Sequence, residues 1–505
     1  MSRRMPWIAI MLAICWLTSG CGPASTSTSS PQETAGTSQR PGGSSSPGLP
    51  RKAPEPVSPS RPAVGNEETG QVPAVAVEPP GERDPLPVQF AGPDHDGPPT
   101  VDLERVKAAG LRILEGKQIT IYTDIPADPA IDELPRVFDL AIAQWSEYFG
   151  VEKEKTVDWK VVGSVIKDKQ RFIQAGLLPE SLPVFSHGYS AEYRIWLLDQ
   201  PSDYYRRHLL LHEGTHAFMV HFLQGGGPPW YMEGMAELLG THRWDGNKLV
   251  LRHFPQAKSE TPYWGRIKIV KDDLAAGRGM PLRAIMSYPA DAHLKIQPYG
   301  WCWAASSFFD FHPEYQPAFR KMIRHSRDSS GGFSEHFLRS LQEEWPRIQQ
   351  EWQLFLFNIQ YGYDLPREAI EDRPVVMFPE GGGTLVLQAD RGWQSTGFKI
   401  AAGSRLQLVA SGQFQLGMDP VPWISEAEGV TVVYYRGQPL GRLLAAVAQP
   451  GEQGGTRLAR PHAVGASGTL DCPEGGILYL RINDAPSQLA DNKGQLSVKI
   501  TLAAP

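Results

Sequence analysis

His212-Glu213-Gly214-Thr215-His216, inside the uninterrupted run from Tyr204 to Leu223, decides how this chain is read. On a helix, His212 and His216 sit one turn apart and project from one face. Two imidazoles so placed can hold one zinc ion, with Glu213 beside it as a general base. The tract Gly225-Gly226-Gly227-Pro228-Pro229 then stops the helix.

Two imidazoles are too few for catalytic zinc, which usually takes three protein ligands and leaves a position for water. The next segment, Trp230-Tyr231-Met232-Glu233-Gly234-Met235-Ala236-Glu237-Leu238-Leu239, reads as a second helix with Glu233 and Glu237 one turn apart. Glu233 is the expected third ligand. Glu237 is expected to accept a hydrogen bond from the far nitrogen of a ligating histidine, which fixes its tautomer. His208 is a rival third ligand by spacing. Three side chains at four-residue intervals span about 11 Å along a helix, too far to converge on one ion. His208 and His221 are therefore expected on the helix surface or behind the ligands.

These residues resemble the gluzincin metallopeptidases, in which His-Glu-x-x-His is followed by a helix carrying Glu-Gly. Trp230 to Ala236 is similar to the Trp-Leu-Asn-Glu-Gly-Phe-Ala segment of the aminopeptidase group that contains leukotriene A4 hydrolase. Pro298-Tyr299-Gly300-Trp301 is similar to that group's Pro-Tyr segment. The resemblance implies that Tyr299 stabilises a developing oxyanion, with Tyr288 and His293 as nearby substitutes. It covers roughly residues 110–365 and implies a mainly helical domain with a small amino-terminal sheet. Within it, Gln118–Thr123 is expected as a strand, Leu134–Phe149 as a helix, and Tyr193–Leu198 as an edge strand leading to the zinc helix. Helices are expected near 299–310, 315–325, 333–341 and 344–357. The group's upstream Gly-Ala-Met-Glu-Asn loop has only a loose echo in Gly188-Tyr189-Ser190-Ala191-Glu192, so exopeptidase action is not implied.

The chain begins with basic Met1–Pro6, an apolar run from Trp7 to Leu17, and Thr18-Ser19-Gly20-Cys21. This is the pattern of an export signal. Its apolar core is too short to span a bilayer. Cys21 after small residues resembles the bacterial lipoprotein box, which implies a membrane anchor on Cys21 and residence in the cell envelope. Residues 22–100, rich in Ser, Thr, Pro and Gly, read as a disordered tether. With Cys15 in the signal and Cys21 as anchor, only Cys302 and Cys472 remain, in different expected domains. The net charge of −6 is small for 505 residues and no long basic run occurs, so nucleic acid is not an expected partner.

From about residue 372 the pattern changes to short strands broken by glycine, such as Thr384–Leu387, Arg405–Ala410, Gly429–Tyr435 and Leu496–Ile500. Their spacing suggests a β-sandwich. Gly476–Asp484 followed by Asp491-Asn492-Lys493-Gly494 resembles the bacterial calcium-dependent galactose lectins. The resemblance implies calcium on Asp484, Gln488, Asp491 and Asn492, with a backbone carbonyl near Leu416. An ordinary Asx-rich hairpin is the competing reading. The lectins' sugar-contacting His and Gln have no clear counterparts between Met418 and Gly429.

The expected fold class is multidomain α+β. A signal (1–21) and tether (22–100) lead to a gluzincin-like domain (101–368), and a lectin-like sandwich (372–505) follows. The expected function is zinc-dependent hydrolysis of a peptide or protein. The alternative is a non-catalytic envelope protein with a structural zinc site and a glycan-binding sandwich.

Overall fold

Strong β-formers between residues 112 and 198 build a five-stranded sheet. Its strands are β1 (Arg112–Glu115), β2 (Ile119–Thr123), β3 (Val161–Ile166), β4 (Gly188–Ala191) and β5 (Arg194–Leu198), in the order β1-β2-β3-β5-β4. β2, β3 and β5 run parallel, and β1 and β4 flank them antiparallel. Every residue of β3 is buried, as in a parallel strand covered on both faces. The expectation that Tyr193–Leu198 forms the edge needs correction. Arg194–Leu198 pairs with β3 on one side and β4 on the other, so Gly188–Ala191 is the edge. The run Ile195-Trp196-Leu197 is buried throughout, and such a run needs neighbours on both sides.

The computed structural model describes residues 97 and 99–503, apart from 186, 192, 293, 294, 372, 419, 420 and 450–454. The expected signal, Cys15, Cys21 and nearly all of the expected tether lie outside the described residues, as do Glu192 and His293. The described residues belong to one compact unit. None of their helices is long and apolar enough to cross a membrane.

Helices cover the sheet and build the main core. Leu134–Phe149 buries Phe138 and Trp145 against the helix Asp203–Phe218, called here the His helix. Gly214 is dictated by that contact, because a Cβ there would lie 2.6 Å from the Trp145 ring. The His helix starts at Ser202, whose hydroxyl accepts the Tyr205 N–H at 3.2 Å. A π-helical turn, Met219–Leu223, ends it. The chain returns as Pro229–Gly240, the Glu helix, with proline in its first turn. A third helix, Gln297–Phe311, packs on the Glu helix at Gly234. Any side chain at Gly234 would collide with the Ser306 hydroxyl.

From Val376 to Leu502 the ordered elements are strands and two short 3-10 turns. A five-stranded and a six-stranded sheet share a core that includes Leu406, Leu408, Leu478, Leu480, Val498 and Ile500. The chain is thus α+β with a helical part and a β-rich carboxy-terminal part. The five-stranded sheet docks on the helical part. Trp393, Leu444 and Tyr479 bury against Leu354 of the helix Trp345–Asn358 and against Ile370. A buried ion pair, Arg481–Glu368 at 3.2 Å, crosses the same boundary. Cys302 and Cys472 are free and buried.

Candidate metal centre

The His helix and the Glu helix cross so that His212, His216 and Glu233 share one point. The two Nε2 atoms face each other at 3.1 Å. Glu233 Oε2 lies 3.4 Å from the first and 3.7 Å from the second. All three residues are buried. Both Glu233 oxygens lack a hydrogen-bond partner, and so do His212 Nδ1 and His216 Nδ1. Two imidazole lone pairs and a buried carboxylate converging in this way are a donor set that fits a zinc ion. As protein atoms alone, the groups pull on one another's protons. Burial works against the charge on His212, but Glu233 and Glu237 outweigh it and raise His212 to about 10. Burial likewise opposes ionised Glu233, but the two histidines hold it down at about 2.

Behind His212 stands Glu237. Its Oε1 is 3.4 Å from His212 Nδ1, and its Oε2 is 3.4 Å from His208 Nε2. The Arg266 guanidinium grips both oxygens, with Nη2 donating at 2.7 Å and Nε at 2.8 Å. Burial would raise the Glu237 carboxyl, yet Arg266 keeps it well below the usual range. His208 is fully buried and takes the second of its two expected places, behind the ligands rather than on the helix surface. It sits on Glu237 because the facing helix covers that turn. His221, one helical face away, is exposed and stacks on Trp159.

Glu213 points from the same helix turn toward β4. A Cβ on Gly188 would lie 2.7 Å from Glu213 Oε1 and 2.9 Å from its Cγ, so the bare backbone of the edge strand walls the carboxylate. Glu213 Oε1 has no hydrogen-bond partner. Burial raises its carboxyl against the pull of His212, His216 and the Ser190 hydroxyl. Tyr299, in the first turn of Gln297–Phe311, is buried with its ring centroid 6.2 Å from that of His212. Burial, then Glu233 and Glu213, push its phenol well above the ordinary value. Arg266 lies over the Tyr299 ring at 5.7 Å. Tyr288 instead donates its hydroxyl to the Met280 sulfur at 2.8 Å.

In the carboxy-terminal part, Asp484 and Asn492 come together. Asp484 Oδ2 accepts from Asn492 Nδ2 at 2.8 Å, and its Oδ1 accepts from the Ala485 N–H at 2.6 Å. Burial raises Asp484 to about 6. Asn492 Oδ1 is buried without a partner. Gln488 is exposed and its amide donates to the Ser487 carbonyl; Asp491 is exposed. The same loop touches the helical part, where the Asp364 N–H donates to the Pro486 carbonyl at 3.2 Å.

Reading the sequence missed Arg266 and the role of Gly188. Nothing near Arg266 in the chain marks it, since it lies 29 residues beyond Glu237. Nothing in the chain marks Gly188 either: Glu213 presses on its bare backbone, which is not in the left-handed region.

No protein-family model matches the chain. No curated protein matches it either. Among solved structures it is similar to the EclA N-terminal domain, a PllA-like lectin, at 22% identity over 24% of this chain and 95% of that one. The TM-score is 0.18, and a likeness at that score establishes no fold.

Proposed function

We propose that this protein is a zinc-dependent hydrolase of gluzincin type that cleaves a peptide bond. The observation that carries the proposal is the convergence of His212 Nε2, His216 Nε2 and Glu233 Oε2, with the Glu213 carboxylate alongside. His212, His216 and Glu233 would hold the ion. The chemistry supplied by zinc in that position is polarisation of a carbonyl and acidification of water.

The chain's own groups do the rest. Glu213 takes the proton from the attacking water and passes it to the leaving amine. The close backbone of Gly188 keeps its carboxylate in place. Tyr299, held protonated by its surroundings, donates a hydrogen bond to the tetrahedral oxyanion as charge develops. Glu237 Oε1, 3.4 Å from His212 Nδ1, would draw the ring proton to that nitrogen and so leave the Nε2 lone pair for the ion. A site that only braced the fold would have no use for a carboxylate with an unpartnered oxygen beside the ligands, and this favours catalysis over a structural zinc site.

The same proposal has the protein exported and tethered to a membrane through Cys21. It assigns a calcium ion, and through it a glycan, to the Asp484–Asn492 loop. The deciding experiment is Glu213→Gln. The variant should retain zinc at wild-type stoichiometry and lose turnover of a peptide selected from a library. Unchanged turnover would end the mechanism.

A further inference from the structure

The helix Trp345–Asn358 carries Trp345, Gln349, Trp352, Gln353 and Leu356 on one face, because their spacing follows the helical repeat. That face does not close fully on the segment opposite. With Met280, Leu282 and Arg283 it bounds a groove of about 320 Å³. Trp345 and Leu356 mark the two ends of this face, about 16 Å apart along the helix. The groove is long and narrow rather than round.

Its walls are already fixed. Trp352 Nε1 donates to the Met280 carbonyl at 2.9 Å and ties the helix to the opposite side. The Met280 sulfur in turn accepts from the Tyr288 hydroxyl. Leu282, Trp352 and Leu356 are buried and make an apolar floor. A groove held open in this way needs little rearrangement to take a ligand.

Charge decides the ligand class. Arg283 is the one charged side chain in the lining, and no acidic group contributes to it. It is exposed, and its guanidinium lies over the Trp345 ring at 5.2 Å. It has no carboxylate partner among the described residues. The cation therefore stands at the Trp345 end, and the floor from there to Leu356 is apolar. A compact anion would leave that length empty, and a neutral or cationic ligand would leave Arg283 unmatched. An anionic head on a slender apolar tail satisfies both. Carbon–carbon bonds of about 1.5 Å advance an extended chain by about 1.3 Å per atom, so about 12 carbons span the face. We propose that this groove binds a medium-chain fatty acid, with its carboxylate on Arg283 and its tail laid along the helix toward Leu356. The proposal depends neither on the metal centre nor on the Asp484–Asn492 loop.

The test is calorimetric titration of the full chain with hexanoate, octanoate, decanoate and decylamine. EDTA is present throughout, so that no carboxylate is held by a metal ion at either of the other sites. Decanoate should bind, and from hexanoate to decanoate the affinity should rise about fourfold per methylene buried. Decylamine, with the same tail and the opposite charge, should not bind. Arg283→Glu reverses the charge at the head, and Gln353→Glu places an anion beside the tail. Each should weaken decanoate at least about tenfold. Arg283 is exposed and Gln353 half-buried, so both variants should fold as wild type does. The proposal is overturned if decanoate does not bind at about 1 mM. It is equally overturned if decylamine binds as well as decanoate, or if decanoate binds both variants as tightly as the wild type.

Discussion

Replacing Gly188 with alanine adds one carbon at the most sensitive wall of the site. That carbon would sit 2.7 Å from Glu213 Oε1, 2.9 Å from Cγ and 3.2 Å from Cδ. Comfortable carbon contacts begin near 3.5 Å, so the carboxylate or β4 must move by roughly 0.5–1 Å. The fold should absorb this at about 1–3 kcal/mol, the usual range for overpacking. Catalysis should suffer more, since a misplacement of about 1 Å is worth about 100-fold in rate. Glu213 is not among the proposed ligands, so zinc content should not change. The assay is kcat and KM on a library-selected peptide, with metal stoichiometry measured on the same sample. The expected result is a fall in kcat of about two orders of magnitude with full zinc. Activity within about twofold of wild type would refute the claim that β4 holds the base in place.

Other perturbations probe different contacts. Arg266→Gln removes the two hydrogen bonds that fix Glu237 and should weaken zinc about 10–100-fold in a chelator competition; lysine should not restore the two-pronged grip. Arg481→Met leaves Glu368 buried alone where the β-rich part docks, and should lower stability by about 3–5 kcal/mol in calorimetry. His242 is lowered from 6.5 to about 3 by burial, then by the charges around it. The unfolded chain therefore takes up that proton first. The neutral ring's contribution is complete above pH about 6.5 and is lost as pH falls toward 3, on the order of 5 kcal/mol in all. His242→Phe should flatten that acid limb in denaturant titrations at successive pH values. Cys21→Ser should move the protein from the membrane to the soluble fraction of the producing cell.

The parts of the site that sequence made legible are those set by local periodicity. His212 and His216 are four apart on a helix, and Glu233 and Glu237 are four apart on the next, so their faces follow from the spacing. The glycine-proline tract between them announced the turn. The long helices and the strands near 384, 405, 430 and 496 lie where period and glycine breaks put them. What sequence could not convey was tertiary. Gly188-Tyr189-Ser190-Ala191 reads as the echo of a loop, and only its pairing with the apolar strand after it shows that it is the edge. Arg266 reaches Glu237 through the crossing of two helices, which no spacing rule encodes. His208 fits the same helical repeat as the ligands, and the facing Glu helix is what buries it. Gly214 and Gly234 look like weak points in their helices; their use emerges only when Trp145 and Ser306 are seen pressed against them.

One zinc ion held between two helices is the centre of the proposed function. Zinc-edge anomalous scattering from crystals of metal-replete protein, with X-ray absorption on the same preparation, tests it most directly. The expected result is a single zinc bonded to His212 Nε2, His216 Nε2 and a Glu233 oxygen at about 2.0–2.2 Å. Zinc located elsewhere, or bound as tightly after Glu233→Ala, would contradict it.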